Sequence, residues 1–397
     1  MPLRSAPARP FPLRSRLRAA CAAAVCLAAL CQAPASTAAV PAGRDSDLQQ
    51  QAEQLVHAPG GPPGVIAVLR TDGRTRIVRA GVANLATGRR PQPYDHMRIA
   101  STAKAFSGAV ALSLVDRHAL RLNETLGERL PQLPKAWHRV TLRQLLNHTS
   151  GLPDFSADAE FRAILQADPH HHFDSRHLLD FVADQPLNFR PGSQYRYSNS
   201  DNIAVALMAE AATGTRYELL LRMLVYRPLG LHDTTLPQGY MIPDPYLHGY
   251  DVAGPPPPED VSELVGASGS WASGGIISTP ADMTRFIRGY AGGALYGKNV
   301  VREQRRWIAG ASEPAGPGRN TEGLAIFRYA TRCGVVLGHT GNTPGYTQLI
   351  AATPDGRRSL TFSVTTQINK SQTPQLLNRL RAVQENFVCA LLTRSKH

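Results

Sequence analysis

Strand-forming segments stand at both ends of this chain, and helix-forming segments fill its middle. Near the start, residues 64–70 (G-V-I-A-V-L-R) read as a strand. Thr71-Asp72-Gly73 then turns the chain into a partner over 74–83, an Asp-Gly hairpin signal. Near the end, residues 323–329, 334–339, 345–353 and 359–367 alternate or run apolar, with Pro354-Asp355-Gly356 as a further turn. Helical patterns cover 47–56, 101–117, 141–147, 159–166, 175–183, 201–212, 217–224, 280–290 and 373–392. This arrangement predicts an α+β fold. An antiparallel sheet is built from both chain ends and flanked by terminal helices, with a mostly helical subdomain inserted. The expected sheet part is 48–100 and 271–392, and the helical subdomain is about 102–270.

Composition removes several classes. Of 397 residues, 43% are hydrophobic and 18% charged, which excludes a disordered chain and a coiled coil. Arg4, Arg9, Arg14, Arg16 and Arg18 precede an apolar run over 19–30, and Ala33-Pro34-Ala35 follows. That order predicts a signal peptide over 1–35, a disordered lead-in over 36–47, and a secreted or periplasmic protein. The apolar run is too short to span a bilayer, so no stable membrane insertion is expected. Lipidation at Cys31 is an alternative, disfavoured because Leu30 stands where a small residue is usual. Losing residues 1–35 lowers the net charge from +13 to +8. Lys and Arg form no long block and do not alternate with aromatics, which argues against a nucleic-acid partner. A monomer is expected.

Cys333 and Cys389 are the cysteines outside the signal segment. Two cysteines in an exported chain favour one disulfide, the other reading being two buried free thiols. No C-x-x-C occurs, so no zinc ribbon or redox motif is present. His170-His171-His172 with His177, Asp168 and Asp174 reads as a solvated loop, because consecutive side chains rarely converge on one ion. Neither a metal nor a cofactor is expected.

The chemistry begins at Ser101-Thr102-Ala103-Lys104. A spacing of three places Ser101 and Lys104 on one helix face. A buried lysine has a lowered pKa and can take the serine's proton, and the helix start offers N–H groups to an oxyanion. Alone, S-x-x-K is a weak signal. Tyr197-Ser198-Asn199 precedes another helix. The tyrosine can act as base or proton shuttle if nearby cations lower its pKa, and the amide can bond lysine and substrate. His339-Thr340-Gly341 ends a strand. Gly341 permits close backbone approach, and the strand edge could pair with an extended substrate.

These three motifs, in this order, resemble the serine β-lactamase and penicillin-binding protein superfamily. The likeness is to its class C branch and, within that, to secreted D-alanyl-D-alanine carboxypeptidases. Leu145-Leu146-Asn147-His148-Thr149-Ser150-Gly151-Leu152, Arg190-Pro191-Gly192, Trp271-Ala272-Ser273-Gly274-Gly275 and Gly338 to Gly341 match as well. The likeness covers residues 48–392. It implies an acylated Ser101, proton handling by Lys104 and Tyr197, and an orienting Asn199. It further implies an oxyanion hole from the Ser101 and Asn342 backbone N–H groups, and substrate binding by His339, Thr340 and Gly341. It implies a cleft wall at Trp271 and a Cys333–Cys389 disulfide. The implied partner is a cell-wall peptide or a β-lactam-like molecule.

Some positions depart from that pattern. The arginine that would hold a terminal carboxylate falls on Phe327, with Arg328 beside it as the candidate. Asn342 stands where a hydroxyl residue is usual. His339 stands where many relatives have lysine, and a protonated imidazole there would hold a carboxylate only below its pKa, near ~6.5 when unperturbed. These departures keep class C-like β-lactamase, esterase, amidase and D-aminopeptidase activity open beside the carboxypeptidase reading. A reading of another class is an inactive envelope-peptide binder. No Glu-x-x-Leu-Asn pattern supports a class A β-lactamase, and no G-x-S-x-G supports a nucleophile-elbow hydrolase.

Overall fold

The computed structural model describes residues 43–393. Helix α1 (Gly43–Val56) leads into strands β1 (Gly64–Thr71) and β2 (Arg74–Gly81). Helices α2 (Ala103–Asp116), α3 (Leu142–Leu146), α4 (Asn199–Thr213), α5 (Trp271–Gly274) and α6 (Pro280–Gly292) follow, among further helices and turns. Strands β3 (Ile308–Ala309), β4 (Arg319–Glu322), β5 (Phe327–Thr331), β6 (Gly334–Thr343), β7 (Tyr346–Ala352) and β8 (Ser359–Val364) precede helix α7 (Pro374–Leu392).

The eight strands form one antiparallel sheet in the order β2-β1-β8-β7-β6-β5-β4-β3. The amino-terminal hairpin docks on the last strand, with Val65 opposite Val364 and Leu69 opposite Leu360. An antiparallel sheet drawing on both chain ends is what the sequence pattern predicts.

Alternation along β1 explains the layering. Val65, Ala67 and Leu69 face one core, Ile66 and Val68 the other, and all five are buried. A strand apolar on both faces needs cover on both. Leu48, Ala52 and Leu55 of α1 and Leu380, Phe387 and Leu391 of α7 cover the first face. Phe106 and Val110 of α2, with Phe286 and Ile287 of α6, cover the second. Each fully buried Leu, Ile or Phe contributes about 1.5–3 kcal/mol. Helix α2 is buried from Ala103 through Leu114, Lys104 included.

The structure corrects several boundaries. Helix α1 takes in residues 43–47, the end of the expected lead-in; the signal-peptide and lipidation readings lie outside the described residues. Residues 323–326 form a turn between β4 and β5 rather than the start of a strand, with Gly323 N–H donating to the Ile326 carbonyl. Leu324, Ala325 and Ile326 are apolar because the turn plugs into the helix-side core. Strand β6 runs past His339 to Thr343, because β7 pairs with it as far as Thr343 opposite Tyr346. Cys333, in the β5–β6 turn, is disulfide-bonded to Cys389 of α7, with Cα atoms 5.2 Å apart. Among the described residues no helix is long and apolar enough to cross a membrane.

Candidate active site

Ser101 sits in a 3-10 turn (Ala100–Thr102) that leads into α2. Ala100 takes a left-handed φ of +49° just before it. Such a conformation costs a non-glycine residue about 1–3 kcal/mol and persists only where the surroundings impose it. Strand β6 does so here. A Cβ on Gly341 would lie 2.4 Å from the Ile99 carbonyl oxygen, so only glycine lets β6 lie against the turn.

Lys104 enters the core with α2 and is 1% exposed. Its Nζ donates to Asn199 Oδ1 at 2.7 Å and to the Ser273 carbonyl at 2.8 Å, and lies 3.2 Å from Ser101 Oγ. Burial pulls its pKa down to about 7, against the opposing charges of Asp154, Glu313 and Asp201. A neutral amine has two N–H bonds and one lone pair. Asn199 and Ser273 accept the two N–H bonds, which leaves the lone pair toward Ser101 Oγ.

Asn199 opens α4 and is held by Asp154. Its backbone N–H and its Nδ2 each donate to Asp154 Oδ2 at 3.1 Å, and Nδ2 also donates to Ser156 Oγ at 2.9 Å. The Tyr197 ring lies under Lys104 Nζ, 4.9 Å from its centroid. Its buried Oη has no well-formed hydrogen bond among the described residues. Burial pushes the phenol well above its usual range, and the Ser101 hydroxyl only partly offsets this. Tyr197 is therefore a neutral phenol, not the ready base that a nearby cation would make. Its ring packs 4.5 Å from His148, whose Nδ1 lies 2.7 Å from Asp201 Oδ2. Burial lowers the His148 pKa to about 3 and raises that of Asp201.

The third motif lies along an open strand edge. Pairing of β5 with β6 stops at Phe327 opposite Gly338, while β7 continues on the other side of β6 to Thr343. Thr340 Oγ1 donates to the Pro314 carbonyl at 2.6 Å. Asn342 Oδ1 accepts from Thr347 Oγ1 at 3.0 Å, so its side chain is occupied by β7. His339 is 1% exposed, with Nδ1 2.6 Å from the Thr340 carbonyl. Burial lowers its pKa to about 3; the Thr340 carbonyl opposes this, while Lys104 and His148 add to it. His339 is therefore uncharged near neutral pH, which favours the neutral imidazole over an imidazolium that holds a carboxylate.

One other expected binding residue is corrected. Trp271 does not wall the cleft. It is fully buried, donates its indole N–H to Glu218 Oε1 at 2.9 Å, and meets Tyr217 edge-on at 5.3 Å. What the Trp-Ala-Ser-Gly-Gly segment brings to the site is the Ser273 carbonyl. Arg328 pairs in register with Leu337 and Thr321, and makes no hydrogen bond or ion pair among the described residues. The neighbouring Phe327 instead sets its ring edge-on to His339, 5.0 Å between centroids. The histidine run is dispersed, since His170 stacks on Tyr240 at 3.6 Å and His171 meets Phe173 edge-on. Among the described residues no group of three His, Cys, Asp or Glu is placed to hold a metal.

Ser101, Lys104, Tyr197 and Asn199 thus meet at one point beside the β6 edge. Sequence reasoning missed Asp154, Ser273, Asp201 and Glu313. Ser273 lay inside the matched Trp271-Ala272-Ser273-Gly274-Gly275 segment, and Asp154 stands two residues after the matched Gly151-Leu152 in a turn-forming Asp-Phe-Ser context, whereas Asp201 and Glu313 carried no such signal.

The beta-lactamase family pattern matches residues 49–385, which includes all three motifs. The chain belongs to the beta-lactamase family. Among its relatives in that family is penicillin-binding protein 4* of Bacillus subtilis, 25% identical over 71% of this chain and 63% of that protein. D-alanyl-D-alanine-carboxypeptidase/endopeptidase AmpH of Escherichia coli is 28% identical over 63% of this chain and 62% of its own length. The chain therefore spans less than two thirds of either relative. A D-stereospecific amidohydrolase from Streptomyces superposes with a TM-score of 0.73 at 25% identity, covering 85% of this chain and 98% of that one. The fold of this beta-lactamase-family chain is thus shared along nearly the whole of a solved relative.

Proposed function

We propose that this chain is an exported serine hydrolase that cleaves amide bonds of D-amino-acid peptides or related small amides through an acyl-enzyme at Ser101. The observation that carries the reading is the Lys104 amine, held near neutrality and 3.2 Å from Ser101 Oγ. In this scheme neutral Lys104 takes the Ser101 proton as Oγ bonds to the substrate carbonyl carbon. The carbonyl oxygen becomes an oxyanion, met by the Ser101 and Asn342 backbone N–H groups. The proton passes from Lys104, with neutral Tyr197 as relay, to the departing amine as the C–N bond breaks. Water then attacks the acyl-serine by the reverse proton path, giving the acid and free Ser101.

An extended substrate fits the open edge of β6, where main-chain pairing supplies affinity. AmpH is named for D-alanyl-D-alanine chemistry and the Streptomyces protein as a D-stereospecific amidohydrolase, which favours D-configured substrates. D-alanyl-D-alanine carboxypeptidase cleavage is the finer reading of the family likeness. Neutral His339 and apolar Phe327 supply no fixed charge for a terminal carboxylate, so we favour amide, peptide or ester substrates that do not require one. The arginine-rich start and apolar run support export, with cell-wall peptides and β-lactams as partners.

The test is covalent. Whole-protein mass after incubation with a fluorescent penicillin or an activated D-amino-acid ester should rise by one acyl group at Ser101, and Ser101→Ala should not label. An adduct mapped to another serine, or none from either reagent, overturns the proposal.

A further inference from the structure

We infer that Glu313 selects substrates that carry a free ammonium group next to the scissile carbonyl, which makes a D-amino-acid amide or a peptide with a free amino terminus the preferred class. This rests on the acyl-enzyme reading above.

The argument begins with three carboxylates whose charge is felt at Lys104: Asp154, Glu313 and Asp201. Two are already occupied. Asp154 accepts from Asn199 through Oδ2, and from Ser156 N–H and Oγ through Oδ1. Asp201 is engaged by His148 and by the Ser150 hydroxyl, and is shut away from solvent. Glu313 is different. Among the described residues it has no hydrogen-bond or ion-pair partner, and the residue is exposed although protein surrounds part of its carboxyl.

Its loop is pinned to the catalytic elements from both sides. On one side Tyr195, two residues before Tyr197, donates its hydroxyl to the Ala311 carbonyl at 2.7 Å. On the other, Thr340 of the His-Thr-Gly strand donates to the Pro314 carbonyl at 2.6 Å. Between these anchors the buried Ser312 hydroxyl lies 3.1 Å from Tyr329 Oη. Residues 311–314 therefore bridge the Tyr-Ser-Asn segment and the open edge of β6, and Glu313 is the charged residue on that bridge. Partial burial of its carboxyl raises its pKa, Lys104 opposes this, and Asp154 adds a smaller rise. That is the environment of a carboxylate short of a cation.

Three residues near that loop offer a carboxylate no free positive charge. His339 is neutral, Phe327 is apolar, and Lys104 is engaged with Asn199 and Ser273. An α-ammonium lies one carbon from the carbonyl that Ser101 attacks, so it enters with the acyl group and needs an acceptor near the catalytic residues. Glu313 is free to supply one as a charge-assisted hydrogen bond. N-acylation removes the charge and the contact.

The experiment compares kcat/KM for D-phenylalanine p-nitroanilide with that for its N-acetyl derivative, in the whole chain. The wild type should prefer the free amine. In Glu313→Gln the preference ratio should fall about tenfold, carried mainly by KM, and Glu313→Asp should restore much of it. Calorimetric binding of D-phenylalanine amide and its N-acetyl counterpart to Ser101→Ala reads the same contact without turnover, and should show the same loss on adding Glu313→Gln. A ratio that Glu313→Gln does not move, or a wild type that prefers the N-acetyl compound, overturns the inference. Penicillin labelling separates the two ideas. Wild type that labels at Ser101 with an unmoved ratio sinks the role of Glu313 alone. Wild type that neither labels nor turns over sinks the acyl-enzyme reading, and the binding comparison then decides Glu313 independently.

Discussion

The carbonyl oxygen of Ser273 lies 2.8 Å from Lys104 Nζ. A backbone acceptor cannot ionise, and no side-chain substitution removes it. Together with Asn199 Oδ1 it fixes two of the amine's directions, and the third is where Ser101 Oγ stands. The position of the lysine is thus set by α4 and α5, while its ionisation is set by the depth of α2.

The first prediction follows from that ionisation. Lys104 acts as base only when neutral, and the neutral fraction grows as pH rises through about 7. For an uncharged substrate, kcat/KM should climb about tenfold per unit below that pH and level off above it. Lys104→Met should lower acylation by about 10²–10⁴-fold. A wild-type profile that is flat across pH about 6–8 would exclude a titrating lysine base.

Asp154 supports the same amine from a distance. Its charge raises the Lys104 pKa, so Asp154→Asn should move the acidic limb of the profile to lower pH. The amide still offers an oxygen to Asn199, but a neutral acceptor is weaker, and kcat/KM should drop by about tenfold. The check is the rate profile of the purified variant. A limb that moves to higher pH would show that Asp154 acts in some other way.

A third prediction concerns His339. Burial lowers its pKa to about 3, which leaves it uncharged near neutral pH. Matched substrates with and without a terminal carboxylate should therefore give parallel kcat/KM profiles, both following Lys104. A carboxylate-specific loss of binding as pH rises through about 6.5 would mean that the imidazole is charged after all.

The last prediction is thermodynamic. The Cys333–Cys389 bond ties α7 to the β5–β6 turn across a sequence separation of 56 residues. Chain entropy assigns it ~4 kcal/mol. Cys333→Ala with Cys389→Ala should lower unfolding free energy by about that amount in denaturant titration. Peptide mapping without reduction should recover the linked pair, and two free thiols would contradict it.

Ser101, Lys104, Tyr197 and Asn199 were legible as residues because their spacing is local. Three residues along a helix is one turn in any fold, so Ser101 and Lys104 share a face before anything else is known. The antiparallel sheet was legible for a similar reason, since alternation and Asp-Gly turns are short-range signals. Residues 323–326 read as strand because Leu324, Ala325 and Ile326 are apolar as a core plug, and apolarity by itself does not separate plug from strand, while the polar Arg-Asn-Thr-Glu of β4 gives no strand signal.

Burial and charge, by contrast, come from chain that is remote in sequence. The sequence by itself determined which groups could perform acyl transfer, because covalent chemistry and helical spacing belong to the residues. Only the tertiary structure decided their ionisation. Lys104 is near neutrality because α2 is enclosed on all sides, and His339 is neutral because the sheet and its neighbours exclude water from the ring. Only the tertiary structure turned Trp271 inward and aimed the Ser273 carbonyl at the amine. It alone set Glu313 on a bridge between two motifs that lie more than a hundred residues apart. A carbonyl's direction and a carboxylate's distance depend on how separate segments pack, and no local pattern of residues records that.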